Sequence, residues 1–250
     1  MFIQRYINIT ADSLIIEPSA GNGAFIEYLK LLSTNIKCYD LEPEHIDIIQ
    51  QDFLTLDCAI FKQQYTNIHI VGNPPFGRQS SMAIKFIKKC CEFATSISFI
   101  LPKSFKKDSM RKHFTNHFHL IFEIDLLDNS FLVNNIECNV PYVFQIWQYQ
   151  TEIRNIINKI EPLHFKFVDK QDNPNISFRR VGVNAGKISD IIDNKSIQSH
   201  YFIKFTNAST IIENITRCKS QLLQFDFNNT VGPKSISKQE LICKLNELLI

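Results

Sequence analysis

IIEPSAGNGAF, residues 15–25, reads as a buried strand that ends in a carboxylate and then turns through Gly21-x-Gly23 into a helix. Two glycines at that spacing allow a tight turn and let the backbone approach a ligand without a Cβ in the way. Working outward from this stretch, apolar runs rich in Ile, Val and Phe alternate with helix-like segments through the first 150 residues. SLIIE (13–17), NIKCYD (35–40), NIHIVG (67–72), SISFIL (96–101) and LIFEIDL (120–126) predict strands buried on both faces. Between them, residues 22–33 and 80–94 carry apolar side chains at helical spacing, the second behind serines able to cap it. The alternation predicts an α/β, doubly wound sheet with helices on both faces. VPYVFQIW (140–147) closes the series. It has no helical pattern before it, so it can pair antiparallel beside the preceding strand.

After Gln150 the character changes. HFKFVD (164–169), ISFRRVGV (176–183) and HYFIKF (200–205) predict short strands among Asn, Asp, Gly and Lys turns, and SKQELICKLNELLI (237–250) predicts a closing helix. The expected organisation is a first domain over 1–150 and a smaller α+β element over 151–250 packed on it. Hydrophobic residues at 44% and charged residues at 21% exclude a largely disordered chain. No apolar run approaches the roughly 18 residues that span a bilayer, and MFIQRYINITADS lacks the basic-then-apolar layout of a signal peptide. Seven scattered cysteines without a CxxC pair suggest neither a disulfide framework nor a metal site. Reduced thiols in a cytoplasmic compartment follow. The charge is −2 over residues 1–150 and +4 over 151–250, which places the basic excess late in the chain.

Three acidic residues fall beside predicted strand ends. Glu17, followed by Pro18, is better suited to a cationic group than to a pyrophosphate, and Ile26 stands where a dinucleotide fingerprint wants a third small residue. That charge preference favours S-adenosylmethionine. Asp40, followed by Leu41, closes the next predicted strand after Glu17 and can accept hydrogen bonds from both hydroxyls of a ribose. Asp52 can take one from an adenine amino group while Phe53 supplies an apolar wall. Ala20, Gly21 and Gly23 line the turn between them.

VGNPPFG (71–77) follows a buried strand directly. An exocyclic amine on a base is a poor nucleophile because its lone pair is delocalised into the ring. Asn73 Oδ1 and the Pro74 carbonyl can accept its two N–H hydrogens and draw the nitrogen toward tetrahedral geometry. Pro74 and Pro75 stiffen the backbone that carries both acceptors, and Phe76 offers a flat face for an extruded base.

EPSAGNGAF, the acidic residue of YDLEP, QDF and NPPF, in this order, resemble motifs I to IV of class I nucleic-acid amino-methyltransferases, above all the adenine-N6 group. The resemblance covers about residues 13–147. It implies a Rossmann-like seven-stranded class I methyltransferase sheet, S-adenosyl-L-methionine held by Glu17, Pro18, Ala20, Gly21, Gly23, Asp40, Leu41, Asp52, Phe53 and Asn73, and a catalytic set of Asn73, Pro74, Pro75 and Phe76. DNSF (128–131) resembles the segment that gives such enzymes a second aromatic, here Phe131. The overall texture is similar to methyltransferase-like proteins of large DNA viruses, which would place it in a host cytoplasm. The dozen residues before the first strand lack the Phe-x-Thr or Phe-x-Tyr-Thr-Pro element with which many relatives cover the methionine end of the cofactor, and this implies a weaker hold. Guanine-N2 methylation of RNA is the rival within the class, because that group also carries Asn-Pro-Pro-Phe. A methyltransferase-like, catalytically inactive nucleic-acid-binding subunit is the rival outside it.

The expected partner is DNA or RNA, with no membrane and no metal. PKSFKKDSMRKH (102–113) follows the fifth strand and offers Lys103, Lys106, Lys107, Arg111 and Lys112 to phosphates. Later in the chain, FRRVGVNAGK (178–187), with Arg179, Arg180 and Lys187, and NNTVGPKSISK (228–238) mix cations with small polar residues. His113, His117 and His119 are expected on a polar helix face rather than in a ligand set.

Overall fold

The computed structural model describes residues 3–126, 132–133, 136–137, 141–155, 159–221 and 234–249. The chain divides into two compact units, Met1–Ile156 and Ile157–Ile250.

The first unit is built on β1 (Leu14–Glu17), β2 (Asn35–Asp40), β3 (Ile48–Gln50), β4 (Ile68–Gly72), β5 (Ser96–Pro102), β6 (Phe118–Asp125) and β9 (Tyr142–Tyr149); β7 (Leu132–Val133) and β8 (Ile136–Glu137) form a separate short ladder. The main sheet runs β3-β2-β1-β4-β5-β9-β6. β1 to β5 pair in parallel, and β9 lies antiparallel between β5 and β6. This is the α/β, Rossmann-like seven-stranded sheet expected from the sequence. Successive side chains of a strand point to opposite faces. Leu14, Ile16, Ile70, Ile97 and Phe99 accordingly join one buried cluster with Phe53, Phe86 and Trp147, while Ile15, Val71 and Ile146 join another with Leu29 and Leu32. Each fully buried side chain of this size contributes about 1.5–3 kcal/mol.

Helices α1 (Ile26–Lys30), α2 (Ala59–Gln64), α3 (Ser81–Cys91) and α4 (Asp108–Arg111) are short. The helix expected over 22–33 shrinks to α1 because two tight turns, Gly23 N–H to the Ala20 carbonyl and Ile26 N–H to that of Gly23, consume its first residues. The helix expected over 80–94 is α3. Its serines do not cap it, since no side-chain bond is made at Ser80, which is itself left-handed at φ 60°. The three histidines do not share a helix face, and His113 lies in the turn after α4. His117 lies just before β6 and His119 within it, their rings bonded to the carbonyls of Gln150 and Glu152, because buried Phe114 and Phe118 turn the chain into a strand there.

The second unit holds an antiparallel sheet of β10 (Phe165–Phe167), β13 (His200–Phe205), β11 (Ile176–Arg179) and β12 (Ile188–Ser189), in that order, with α5 (Ile211–Gln221) and α6 (Lys238–Leu248). Phe165, Ile176, Phe178, Ile203, Cys218, Leu241 and Leu245 form its core. α6 starts on a capping box: Ser237 Oγ accepts from the Glu240 N–H, and the Glu240 carboxylate accepts from that of Ser237. No helix among the described residues is long and apolar enough to cross a membrane.

Candidate functional site

Parallel strands present their C-terminal ends to a ligand where the strand order reverses. Here β1 and β4 are neighbours at that point, and a cavity of about 480 Å³ opens over the ends of β1, β2, β3 and β4. Its wall includes Pro18, Ser19 and Gly21 after β1, Asp40 and Leu41 at the end of β2, Asp52 and Phe53 after β3, Asn73 and Pro75 after β4, and Met82 and Phe86 of α3. A larger cavity of about 630 Å³ lies at the opposite end of the sheet, among Lys62, Tyr65, Thr95 and Tyr149. It contains none of the motif residues, so the smaller one carries the chemistry.

The glycine turn is fixed by its own backbone. Gly21 (φ 52°) and Gly23 (φ 79°) both take left-handed conformations that disfavour a side chain. At Gly23 a Cβ would come within 2.8 Å of Ile26 and 3.0 Å of His45, whereas at Gly21 it would meet nothing within 4 Å. The space beside Gly21 is therefore open to a ligand. Gly21 N–H donates to Asp40 Oδ2 at 2.7 Å, and Glu42 N–H donates to Asp40 Oδ1 at 3.0 Å. Each carboxylate oxygen keeps a lone pair after these bonds, so the aspartate is oriented and can still accept from a diol. Ala20 is buried, its N–H on the Tyr39 carbonyl at 2.9 Å. Leu41 is 63% exposed at the rim.

Asp52 caps the short turn Phe53–Thr55 by accepting from Leu54 N–H at 2.9 Å. Phe53 is both wall and core. It is 1% exposed and stacks on Phe86 with ring centroids 5.8 Å apart. Glu17 is 2% exposed and is not part of the cavity wall. Burial raises its carboxyl to about 8, against the weaker effect of a long hydrogen bond from Cys38 Sγ at 3.9 Å. A cation brought near it would favour the carboxylate again.

At the end of β4, Asn73 Oδ1 is buried with no hydrogen-bond partner, while the Asn73 carbonyl accepts from Ser19 Oγ at 3.2 Å. A buried amide oxygen left unbonded costs about 1–3 kcal/mol. Such an atom is an acceptor awaiting a donor. Pro74 is buried and Pro75 exposed. Phe76 is anchored through its carbonyl, which accepts from Met82 N–H at 3.0 Å at the start of α3. Its ring lies 5.5 Å from that of buried Tyr142, the first residue of β9.

Two participants escape a sequence reading. Gly72, just before Asn73, has no room for a side chain, since a Cβ would sit 3.2 Å from Pro18 Cδ and 3.7 Å from Glu17 Cγ. The small residue inside an apolar strand was the available signal. Tyr142 supports Phe76 from far along the chain, and only strand pairing with Pro102 brings it there. Phe131 lies outside the described residues.

The cations expected on phosphates differ in their surroundings. Lys103 pairs with Asp125 at 3.0 Å, Lys106 with Asp125 at 2.9 Å and Arg111 with Glu123 at 2.9 Å. Gln145 Nε2 donates to the same Glu123 at 2.6 Å. Partial burial raises the Asp125 carboxyl, but Lys106 and Lys103 outweigh it and hold the group below its usual value. Arg179, Arg180 and Lys187 lie in the second unit. Arg179 Nε donates to the Val181 carbonyl, Arg180 Nη2 to that of Gln198, and Lys187 is exposed. Among the described residues no group of His, Cys, Asp and Glu could hold a metal ion.

No family model matches the chain. Over 76 residues it is 34% identical to the Type II methyltransferases M.HincII and M.HindII, both from Haemophilus influenzae. The match takes in 29% of this chain and 14% of each relative, so the chain spans only a small part of the length of these curated proteins. Among solved structures, the 23S rRNA methyltransferase ErmE aligns with a TM-score of 0.44 and 13% identity, over 61% of this chain and 67% of its own.

Proposed function

We propose that this protein is an S-adenosylmethionine-dependent methyltransferase acting on the exocyclic N6 amine of adenine in DNA or RNA. The observation that carries the proposal is Asn73 at the end of β4, which lines the same cavity as Gly21 and Asp40 and whose buried Oδ1 has no hydrogen-bond partner. The segment shared with two Type II methyltransferases supports it.

The residues present fit the cofactor. Asp40, fixed by two backbone N–H groups, would accept from the ribose hydroxyls, and the open space beside Gly21 would admit the nucleoside. Asp52 would take the adenine amino group beside the edge of Phe53 and Leu41. Glu17, behind Pro18, would regain its charge opposite the methionine ammonium. Ala20 and Gly23 shape the turn. When bound, the cofactor supplies an electrophilic methyl carbon on a sulfonium. Asn73 Oδ1 and the Pro74 carbonyl accept the two N–H hydrogens of the target amine, which localises its lone pair without a strong base. Pro75 stiffens the pair of acceptors, and Phe76, backed by Tyr142, stacks on the extruded base. Phe131 is the candidate second stacking residue. Incubation with isotopically labelled cofactor and mixed DNA and RNA, followed by nucleoside mass spectrometry, tests the assignment. Label in N6-methyladenine is expected; label in N2-methylguanine would replace the base, and no label in any nucleoside would remove the activity.

A further inference from the structure

The second unit brings together cations that are far apart in sequence. Residues 179–182 are bracketed on one side by 234–236, with Gly182 N–H on the Lys234 carbonyl and Ile236 N–H on that of Arg180, both at 2.9 Å. On the other side Arg179 N–H meets the Lys187 carbonyl, and Gly186 N–H that of Arg179, at 2.8 Å each. Arg179, Arg180, Lys187 and Lys238 therefore share one region. No acidic residue occurs in 178–188 or 234–239, and Glu240 is turned back into the capping box of α6.

Two of these cations are held by rings rather than by carboxylates. The Arg180 guanidinium lies 5.4 Å from the centre of the Tyr201 ring, and Lys238 Nζ lies 4.9 Å from that of Phe167 and 5.8 Å from that of Tyr201. Phe167 and Tyr201 meet edge to face at 5.5 Å, which fixes the platform. Among the described residues no carboxylate pairs with Arg179, Arg180, Lys187 or Lys238. A cation over an aromatic face is positioned yet keeps its full charge toward solvent. An arginine has several N–H donors, and one bonded to a carbonyl through a single N–H keeps the others for phosphate oxygens.

We infer that this face of the second unit, centred on Arg180 and Lys238 over Tyr201 and Phe167, grips the sugar-phosphate backbone of a nucleic acid without regard to sequence. The strand-like row of charge, with Gly, Asn and Ser between the cations, suits a polymer of phosphates. A membrane surface would call for an amphipathic helix with a free apolar face, whereas Arg179, Arg180 and Lys187 lie outside helices and Lys238 opens α6, whose Leu241, Ile242 and Leu245 are buried in the core of the unit. The inference rests on the nucleic-acid substrate proposed above, but its test needs neither adenine nor cofactor.

Fluorescence polarisation of a labelled oligothymidine with the full chain, at several salt concentrations, reads the surface directly. Replacing both residues, Arg180→Ala with Lys238→Ala, is expected to weaken binding about tenfold and to lower the slope of log affinity against log salt by roughly 1.4, at about 0.7 per phosphate contact on a single strand. Lys187→Glu, on an exposed residue, should weaken it without touching the fold, and the pair Lys103→Ala with Lys106→Ala should leave it unchanged. Wild-type affinity and slope in the Arg180/Lys238 variant would overturn the inference. So would equal loss in the Lys103/Lys106 variant, or tighter binding of the wild type to phosphatidylserine vesicles than to the oligonucleotide. If the surface holds and mass spectrometry finds no methylated base, only the enzymatic assignment falls.

Discussion

The strand ends of the first unit and the basic face of the second solve opposite physical problems. At these strand ends, polar atoms are buried ahead of their partners: Asn73 Oδ1 has none, and burial without a cation beside it holds the Glu17 carboxyl at about 8. On the second unit, charges stay in water and are aimed by rings without being neutralised. Buried acceptors discriminate one donor pattern from another, because a mismatch leaves them unsatisfied at full cost. Hydrated cations on a platform hold a polyanion regardless of its bases. Lys103 and Lys106 differ from both groups in that each is paired with Asp125.

The separation can be broken by substitution. Asp40→Ala should have the largest effect of those below. It removes the acceptor for a diol and the anchor of the Gly21 N–H, and calorimetric titration should show cofactor affinity falling about 100-fold, a loss of a charge-assisted pair worth roughly 1.5–3 kcal/mol. Oligothymidine binding should not change. A parallel loss of oligothymidine binding would mean that one site does both jobs.

Glu17→Gln sharpens the same contrast through pH. The folded carboxyl titrates at about 8 against a usual 4.5, so its protonated form favours the folded state. In the wild type this contribution is complete below about 4.5 and is lost as the pH rises to about 8. Urea unfolding at pH 5 and pH 8.5 should show the wild type losing about 2 kcal/mol more than the variant between the two, within what a raised pKa permits. Parallel pH profiles would show that the carboxyl is not strained by burial. Lys106→Ala should do least. Its ion pairs with Asp125 and Glu123 are partly exposed, so thermal unfolding should register under about 1 kcal/mol, with oligonucleotide affinity intact. Weakened affinity would return the lysines beside β6 to the phosphate-binding surface.

Much of the first unit was legible because its central strands are mostly apolar runs closed by Gly, Pro or a carboxylate, as in LIIEP and IHIVGNPP. β3 was not, since it is a very short strand that exposes Ile49 and Gln50 at the sheet edge. α2 spans less than two turns, and α5 mixes Asn, Thr, Cys and Ser, which are weak helix formers. At the site, the Gly21 turn, Asp40, Asp52 and Asn73 meet at one cavity as their motifs suggested. Sequence could not tell that Glu17 is absent from that wall or that Phe53, which lines it, also stacks on Phe86 in the core. Nor could it distinguish neutralised cations from available ones. Lys103 and Asp125 stand well apart in the chain and meet only because β6 folds back beside β5 through β9, while Val181 meets Ser235 across a still longer separation. Local text carries no sign of either.

Single-turnover methyl transfer by Asn73→Ala, measured beside its cofactor titration, tests the buried acceptor most directly. Transfer to adenine should fall about 10²–10³-fold, the scale for removing one oriented hydrogen-bonding group from a transition state, while cofactor affinity stays within a few-fold of wild type. Transfer at the wild-type rate would contradict the account.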